Sequence, residues 1–556
     1  MKLTALRCNE IAFNFYAALF FTVVLNAVFL LRAWEIIPYL SARDYVFAAT
    51  LPVVLFCAFV FIFSLGALPW IRKPLLIVLV LASAAANYFM YSFGTVIDTN
   101  MIQNVFETDL QEATSLFSLR YFLWLALIGI LPALMILLVN IDTARPWWMN
   151  LAFRAGSALA ALLLVLLIAA LFYKDYASLV RNNKGLIKMI TPANVVSSIG
   201  HYADDRWFSG DPALVKIGQD AHKGPQILAE KKKTLVVFVL GETARAEDFS
   251  LGGYVQNTNP ALAQDNVIYY PHATSCGTET AISVPCMFSN MPREHYDASL
   301  AHHQEGLLDV MAHAGISVLW RENDGGCKGA CDRVPHTDMT KWRLSSLCQH
   351  DYCLDDALLW RLDHYLDSVK NDTVIVLHQM GSHGPAYYRR YPAEQRQFAP
   401  TCDSNQIQDC DPQALVNTYD NSILYTDSML DRTISLLRSR SDRYNVALIY
   451  LSDHGESLGE HGMYLHGAPY LFAPAQQTHI PFLLWLSPDY AHAYGIDQEC
   501  LRRAASTAAV SQDNVFHTLL GMLNVETKEY QPALDMIRSC RAVSNASAIQ
   551  TTLNSH

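Results

Sequence analysis

Charge is scarce in this 556-residue chain, and in its first third it is almost absent. Charged residues make up only 16% of the sequence, against roughly a quarter in an average soluble domain. No basic stripe is present, and a net charge of −11 offers nothing to neutralise a phosphate backbone, which excludes nucleic acid as a partner. No CxxC pair occurs, so the twelve cysteines do not read as a thiolate zinc framework. Internal repeats and low-complexity tracts are also missing, which excludes solenoids and extended disordered regions.

What the chain has instead is hydrophobicity, 52% of residues with a mean hydropathy of +0.16, concentrated at the start. Residues 1–173 read as a transmembrane domain. Five segments there carry no charged residue and are long enough to cross a bilayer: Ile11–Leu31, Tyr45–Leu68, Pro74–Gly94, Tyr121–Ile141 and Ala155–Tyr173. The first lacks a small-x-small exit before Arg32 and reads as a retained anchor rather than a signal peptide. Lys2, Arg7, Arg72, Lys73, Arg145 and Arg154 fall on one side. Arg32, Arg43 and Arg120 fall on the other, diluted by Glu35, Asp44, Asp98, Glu107, Asp109 and Glu112. The positive-inside rule then places the N-terminus in the cytoplasm and everything after Tyr173 outside it.

The cysteines give a separate reading of that topology. Cys8 and Cys57 lie in the membrane third. The other ten fall into Cys276/Cys286, Cys327/Cys331, Cys348/Cys353, Cys402/Cys410 and the more distant Cys500/Cys540. An even count in an exported domain implies disulfides, and pairing by proximity is the expectation.

Residues 174–232 are mixed in polarity and broken by Gly and Pro, and read as an interfacial linker with short helices. Residues 233–546 have ordinary globular composition and read as the catalytic domain, with a frayed tail at 547–556. Short β-rich runs alternate there with helical stretches: TLVVFVLGE, NVIYYP, ISVLWREN, DTVIVLHQM, VALIYLSDHG and IPFLLWLS. That alternation predicts an α/β sandwich around a largely parallel sheet.

The chemistry gathers where those runs end, as it does in open α/β sheets. Glu242 closes the first run, and Asp453 and His454 close the fifth. A threonine stands in the Cys-framed segment SCGTETAISVPC. Two acids, a hydroxyl and an imidazole make a four-ligand zinc set. A free threonine hydroxyl is a poor nucleophile, and metal coordination would activate it. Local sequence leaves Thr278 and Thr280 both open as that nucleophile. His383 and His466 sit on loops of the same rim, where a single histidine is more often structural but two suggest a phosphate or second-metal site. The bland reading of Glu242 is an acid in the first turn of a helix.

Three blocks, SCGTETAISVPCMFS, LSDHGESLGEHGMYLHG and HQMGSHGPAYYRRYP, resemble the bacterial phosphoethanolamine transferases that modify lipid A, a family of the alkaline phosphatase and sulfatase superfamily related to the mobile colistin resistance enzymes. The resemblance extends over nearly the whole chain, including the five spans and the paired cysteines. It implies a zinc held by Glu242, Thr280, Asp453 and His454, with a second, weaker zinc site in question. It favours Thr280 over Thr278 as the nucleophile that carries phosphoethanolamine. It also implicates Lys328, His383 and His466 in holding that group, and Asn104 and Glu112 near the lipid-binding mouth. At Asp324 some relatives carry Asn, which leaves its role open. The implied reaction takes phosphoethanolamine from phosphatidylethanolamine to a lipid A phosphate, by a monomer in the bacterial inner membrane whose catalytic domain is periplasmic. Polymyxin resistance would follow. A transferase with another acceptor, such as Kdo, a core sugar or a glycan, or one moving glycerol phosphate, is the alternative. A sulfatase is disfavoured because no C/S-x-P-x-R nucleophile setting is present.

Overall fold

The computed structural model of the chain describes residues 7–66, 70–107, 116–142, 146–204, 213–349 and 352–542. The chain divides into two compact units. One comprises Met1–Glu107 with Phe117–Phe208, the other Thr108–Leu116 with Ser209–His556.

In the first unit, Ala42–Leu65, Arg72–Phe93, Leu119–Leu138 and Trp147–Arg181 are each helical, apolar and long enough to cross a membrane. The first expected span corresponds to two helices, Glu10–Leu25 and Ala27–Ile36, bent by 57° at Asn26, and these make a fifth span if they cross the membrane together. The freed backbone is satisfied by side chains. Asn26 Nδ2 donates to Phe21 O at 2.9 Å and to Thr191 O at 2.7 Å, while Thr191 Oγ1 and Asn87 Nδ2 donate to Leu25 O. A break in apolar surroundings persists only when its carbonyls find such partners. The last long helix is broken at Phe172 (φ −119°, ψ 24°), and a further helical stretch follows to Asn182. Arg72 and Arg154, assigned to one side from the charge pattern, both donate to buried Glu10, Arg72 at 2.7 Å. Burying a carboxylate is costly without such partners.

The second unit is built on an eight-stranded sheet. In chain order its strands are β1 (Lys233–Gly241), β2 (Ile268–Thr274), β3 (Ser317–Glu322), β4 (His336–Asp338), β5 (Thr373–His378), β6 (Tyr444–Ser452), β7 (His479–Leu486) and β8 (Ala509–Ser511). Their spatial order is β8-β2-β7-β6-β1-β5-β3-β4. Only β7 runs against its neighbours, β6 and β2; the other pairings are parallel. This is the α/β architecture expected from the alternating apolar runs. Central strands β1, β5 and β6 are apolar almost throughout because helices cover both faces. The longest of these helices, Pro412–Arg438, buries most of its length. The short edge strands β4 and β8 carry too few residues to show a pattern in the sequence.

The ten exported-type cysteines form the five bridges expected from proximity: Cys276–Cys286, Cys327–Cys331, Cys348–Cys353, Cys402–Cys410 and Cys500–Cys540. Cys8 and Cys57 are free.

Candidate active site

Parallel pairing of β1 with β6 sets Gly241 beside Ser452. The next residue on each strand, Glu242 and Asp453, therefore emerges at the carboxyl edge of the sheet next to the other. His454 follows directly. All three are fully buried. Glycine lets a neighbouring loop close over them. Gly381 (φ 52°) lies so near that a Cβ would stand 2.5 Å from Glu242 O, and Ser382 N–H donates to that same carbonyl at 3.0 Å.

Thr280 opens the helix Thr280–Met287. Its Oγ1 donates to Glu242 Oε2 at 3.2 Å and lies 3.5 Å from His454 Nε2. The hydroxyl of Thr278 is directed elsewhere and donates to Ala468 O at 2.7 Å. The threonine segment is braced at both ends by the Cys276–Cys286 bridge and by Gln512. Gln512 Oε1 accepts from Cys276 N–H at 2.7 Å, and its Nε2 donates to Asp453 O at 2.6 Å and to Ser452 O at 3.0 Å. One buried amide thus ties the hydroxyl-bearing segment to the Asp-His loop. Nothing in the sequence singles out Gln512, because its contacts lie about sixty and well over two hundred residues away.

The electrostatics of the cluster fit a cation. His454 Nδ1 faces Gly455 O at 2.9 Å; a carbonyl only accepts, so Nδ1 carries the proton and Nε2 keeps its lone pair toward Thr280, Glu242 and Asp453. Burial lowers the His454 pKa to about 4, with His466 and His383 adding to the effect against the pull of Asp453, so the ring stays neutral. Burial followed by the charges of Asp453 and Asp324 pushes Glu242 well above the usual carboxylate range. Asp453 is held low despite burial, by hydrogen bonds that include Thr243 N–H at 3.1 Å. Its Oδ1 also accepts from His454 N–H at 2.7 Å, yet its buried Oδ2 accepts no hydrogen bond. Two adjacent buried carboxylates either share a proton or face a cation. Donor atoms of Glu242, Asp453 and His454 lie within 4.8 Å of one another, and the Thr280 hydroxyl completes an oxygen and nitrogen set suited to zinc.

Around this core stand groups that the sequence did not single out. Register places Glu322 of β3 beside His378 of β5. His378 Nδ1 is 3.0 Å from Glu322 Oε2, and its Nε2 is 3.7 Å from Asp324 Oδ2. Glu322 and Asp324 outweigh burial and raise the His378 pKa to about 9. Burial pushes Asp324 up to about 7 against the pull of His378, His383 and Lys328. Asp324 and His378 also offer donors close to Glu242. Lys328 takes a left-handed backbone (φ 48°) in the bridged GCKGAC loop.

On the other flank the His466 ring lies 4.4 Å from His454 and 5.2 Å from His383. Glu456 is fully buried, its Oε1 3.4 Å from His466 Nδ1, and the Tyr387 hydroxyl also faces its carboxylate. The structure thus brings together Glu242, Thr280, Asp453, His454, His383 and His466, with Lys328 near Asp324. Asn104 falls on the helix Thr99–Glu107 of the first unit, and Glu112 lies outside the described residues.

Comparison with known proteins accords with this geometry. Residues 234–525 match the sulfatase family, and residues 55–207 match the family described as phosphoethanolamine transferase EptA/EptB. The phosphoethanolamine transferase EptA of Salmonella typhimurium (strain LT2) is 49% identical over 533 residues, 96% of each chain. The phosphatidylethanolamine transferase Mcr-1 of Escherichia coli is 35% identical over 94% of this chain and 96% of its own. The integral membrane lipooligosaccharide phosphoethanolamine transferase A (EptA) from Neisseria meningitidis superposes with a TM-score of 0.93 at 39% identity, covering 97% of this chain and 100% of that one.

Proposed function

The chain belongs to the EptA-type phosphoethanolamine transferases, and from that premise we propose that it moves phosphoethanolamine from phosphatidylethanolamine to a phosphate of lipid A through an ester on Thr280. The observation that carries this reading is the Thr280 hydroxyl, presented at a helix start to Glu242 Oε2 and His454 Nε2. Glu242, Thr280, Asp453 and His454 would hold a zinc ion, which when bound favours the ionised threonine and offsets charge on phosphoryl oxygens.

The side chains then have separable tasks. Thr280 Oγ bonds to phosphorus as the bond to the diacylglycerol oxygen breaks. His466 or His383, on the rim beside His454, is in place to accept the proton that Thr280 gives up. The same histidine passes that proton to the departing diacylglycerol oxygen. Lys328 offers positive charge to the phosphoryl group. Glu456, buried beside His466, offers carboxylate oxygens as acceptors for the ethanolamine nitrogen. In the second half-reaction a lipid A phosphate gives its proton to that histidine as its oxygen attacks phosphorus, and the histidine returns the proton to Thr280 Oγ as the bond from phosphorus to Thr280 breaks. The working unit is one chain, with its N-terminus cytoplasmic and its second unit periplasmic. Adding an ammonium group to lipid A lowers its net negative charge, so cationic peptides such as polymyxin bind less.

Mass spectrometry of lipid A from cells that lack such a transferase, with and without this chain, tests the reading. Lipid A is expected to gain one phosphoethanolamine. A gain on Kdo or core sugar with unmodified lipid A would contradict the acceptor while leaving the transferase in place.

A further inference from the structure

The loop that runs on from His466 carries two apolar side chains into solvent. Phe472 N–H donates to Pro469 O at 2.8 Å, closing a tight turn at which Leu471 is 75% exposed and Phe472 40%. Single exposed apolar residues are ordinary on protein surfaces. An adjacent Leu-Phe pair at a turn tip is unusual, because turns favour Gly, Asn, Asp and Ser.

The base of this turn is firmly built. Gly467 N–H donates to Thr278 O at 2.8 Å, and Thr278 Oγ1 donates to Ala468 O at 2.7 Å. Ala468 N–H donates to Gln477 Oε1 at 3.0 Å. Tyr470 OH donates to Ser275 O at 2.8 Å, and the Arg293 guanidinium stands 3.3 Å over the Tyr470 ring. The tip is thus fixed to the segment that presents Thr280, on a loop that starts at His466. Next to the apolar tip stand an aromatic hydroxyl and a cation, the kinds of group that suit a bilayer surface between hydrocarbon and headgroups. The same chain holds helices long enough to span that bilayer.

We propose that Leu471 and Phe472 form an apolar lip that enters the acyl-chain region and engages the diacylglycerol part of the donor lipid, bringing its phosphodiester level with Thr280. This rests on the donor-lipid reading given above. The lip recognises the apolar part of the donor, whereas the rim of histidines, Lys328 and Glu456 recognises its polar part. Its contribution is therefore confined to substrates that carry acyl chains.

The test uses the full chain in proteoliposomes containing graded mole fractions of phosphatidylethanolamine. In parallel it uses the water-soluble nitrophenyl ester of phosphoethanolamine. In the Leu471→Ser/Phe472→Ser double variant, the half-saturating fraction of bilayer donor should rise about tenfold. Turnover of the soluble ester should stay within about twofold of wild type, and Phe472→Leu should behave as wild type on both. Equal use of bilayer donor by the double variant and wild type would overturn the proposal and leave the tip to solvent or to another protein. Equal losses on both substrates would also overturn it, making the turn a support for the Thr280 segment. If wild type turns over the soluble ester but not the bilayer lipid, the lip fails while the transferase site stands. If it turns over neither, the donor reading falls and the lip with it.

Discussion

Asp453 is the residue at which the metal reading is most exposed to test. One of its oxygens accepts two backbone N–H groups, and the other, buried against Glu242 and His454, accepts none. Those backbone bonds hold the carboxylate in place before any ion arrives. Asp453→Ala is therefore expected to remove tightly bound zinc and to lower transfer at least about a hundredfold, read by elemental analysis of the purified protein and by rate. Full zinc occupancy in that variant would contradict the ligand set. The residues at the ends of β1 and β6 were legible because an acid closes an apolar run in each. Glu322 and His378 were not, although they stand at equivalent strand ends. Only the parallel register makes them partners, and register is set by packing across the whole sheet. Glu456 was hidden inside the recognised LSDHGESLGEHG block, with nothing local to separate it from half-buried Glu460.

At the scale of elements, the long helix Pro412–Arg438 holds the short helix Pro260–Gln264 through one carboxylate. Asp427 Oδ2 accepts from Ala261 N–H at 2.9 Å and Oδ1 from Leu262 N–H at 3.0 Å. Burial nevertheless pushes the Asp427 carboxyl up to about 7, with Asp431 and Asp265 adding to it against those two bonds. A folded-state value above the unfolded one means that stability is fully present below the ordinary carboxyl range and is lost as pH rises through about 7. Asp427→Asn cannot titrate. Its thermal midpoint should gain on wild type as pH is raised from about 4 to about 8, and a gap that stays constant across that range would contradict the assignment. The six longer strands could be read from the sequence because their apolar runs are uninterrupted. The bend at Asn26 could not, since it depends on Thr191 and Asn87 reaching the freed carbonyls from distant segments.

For the whole molecule, membrane helices and disulfides make linked statements about compartment. The five bridges lie in the second unit, while Cys8 and Cys57, in the first, remain thiols. Bridges persist in oxidising compartments, and the orientation proposed above puts the second unit in one. Labelling the denatured protein with a thiol reagent without reductant should therefore modify only Cys8 and Cys57. Modification at most of the other ten positions would contradict both the bridges and the periplasmic placement. Composition alone was enough to separate the membrane third from the remainder, because hydropathy is summed over some twenty residues for each span. The point at which one unit gives way to the next, Phe208 to Ser209, was less legible, since residues 174–232 mix polar and apolar positions without a clear period.

The central claim is a covalent phosphoethanolamine ester on Thr280, formed before any acceptor arrives. Incubating the full chain with phosphatidylethanolamine alone, digesting it and mapping the modified peptide by mass spectrometry tests it most directly. The account predicts the adduct on Thr280, none in Thr280→Ala, and an unchanged adduct in Thr278→Ala. An adduct on Thr278, or normal transfer to lipid A by Thr280→Ala, would contradict it.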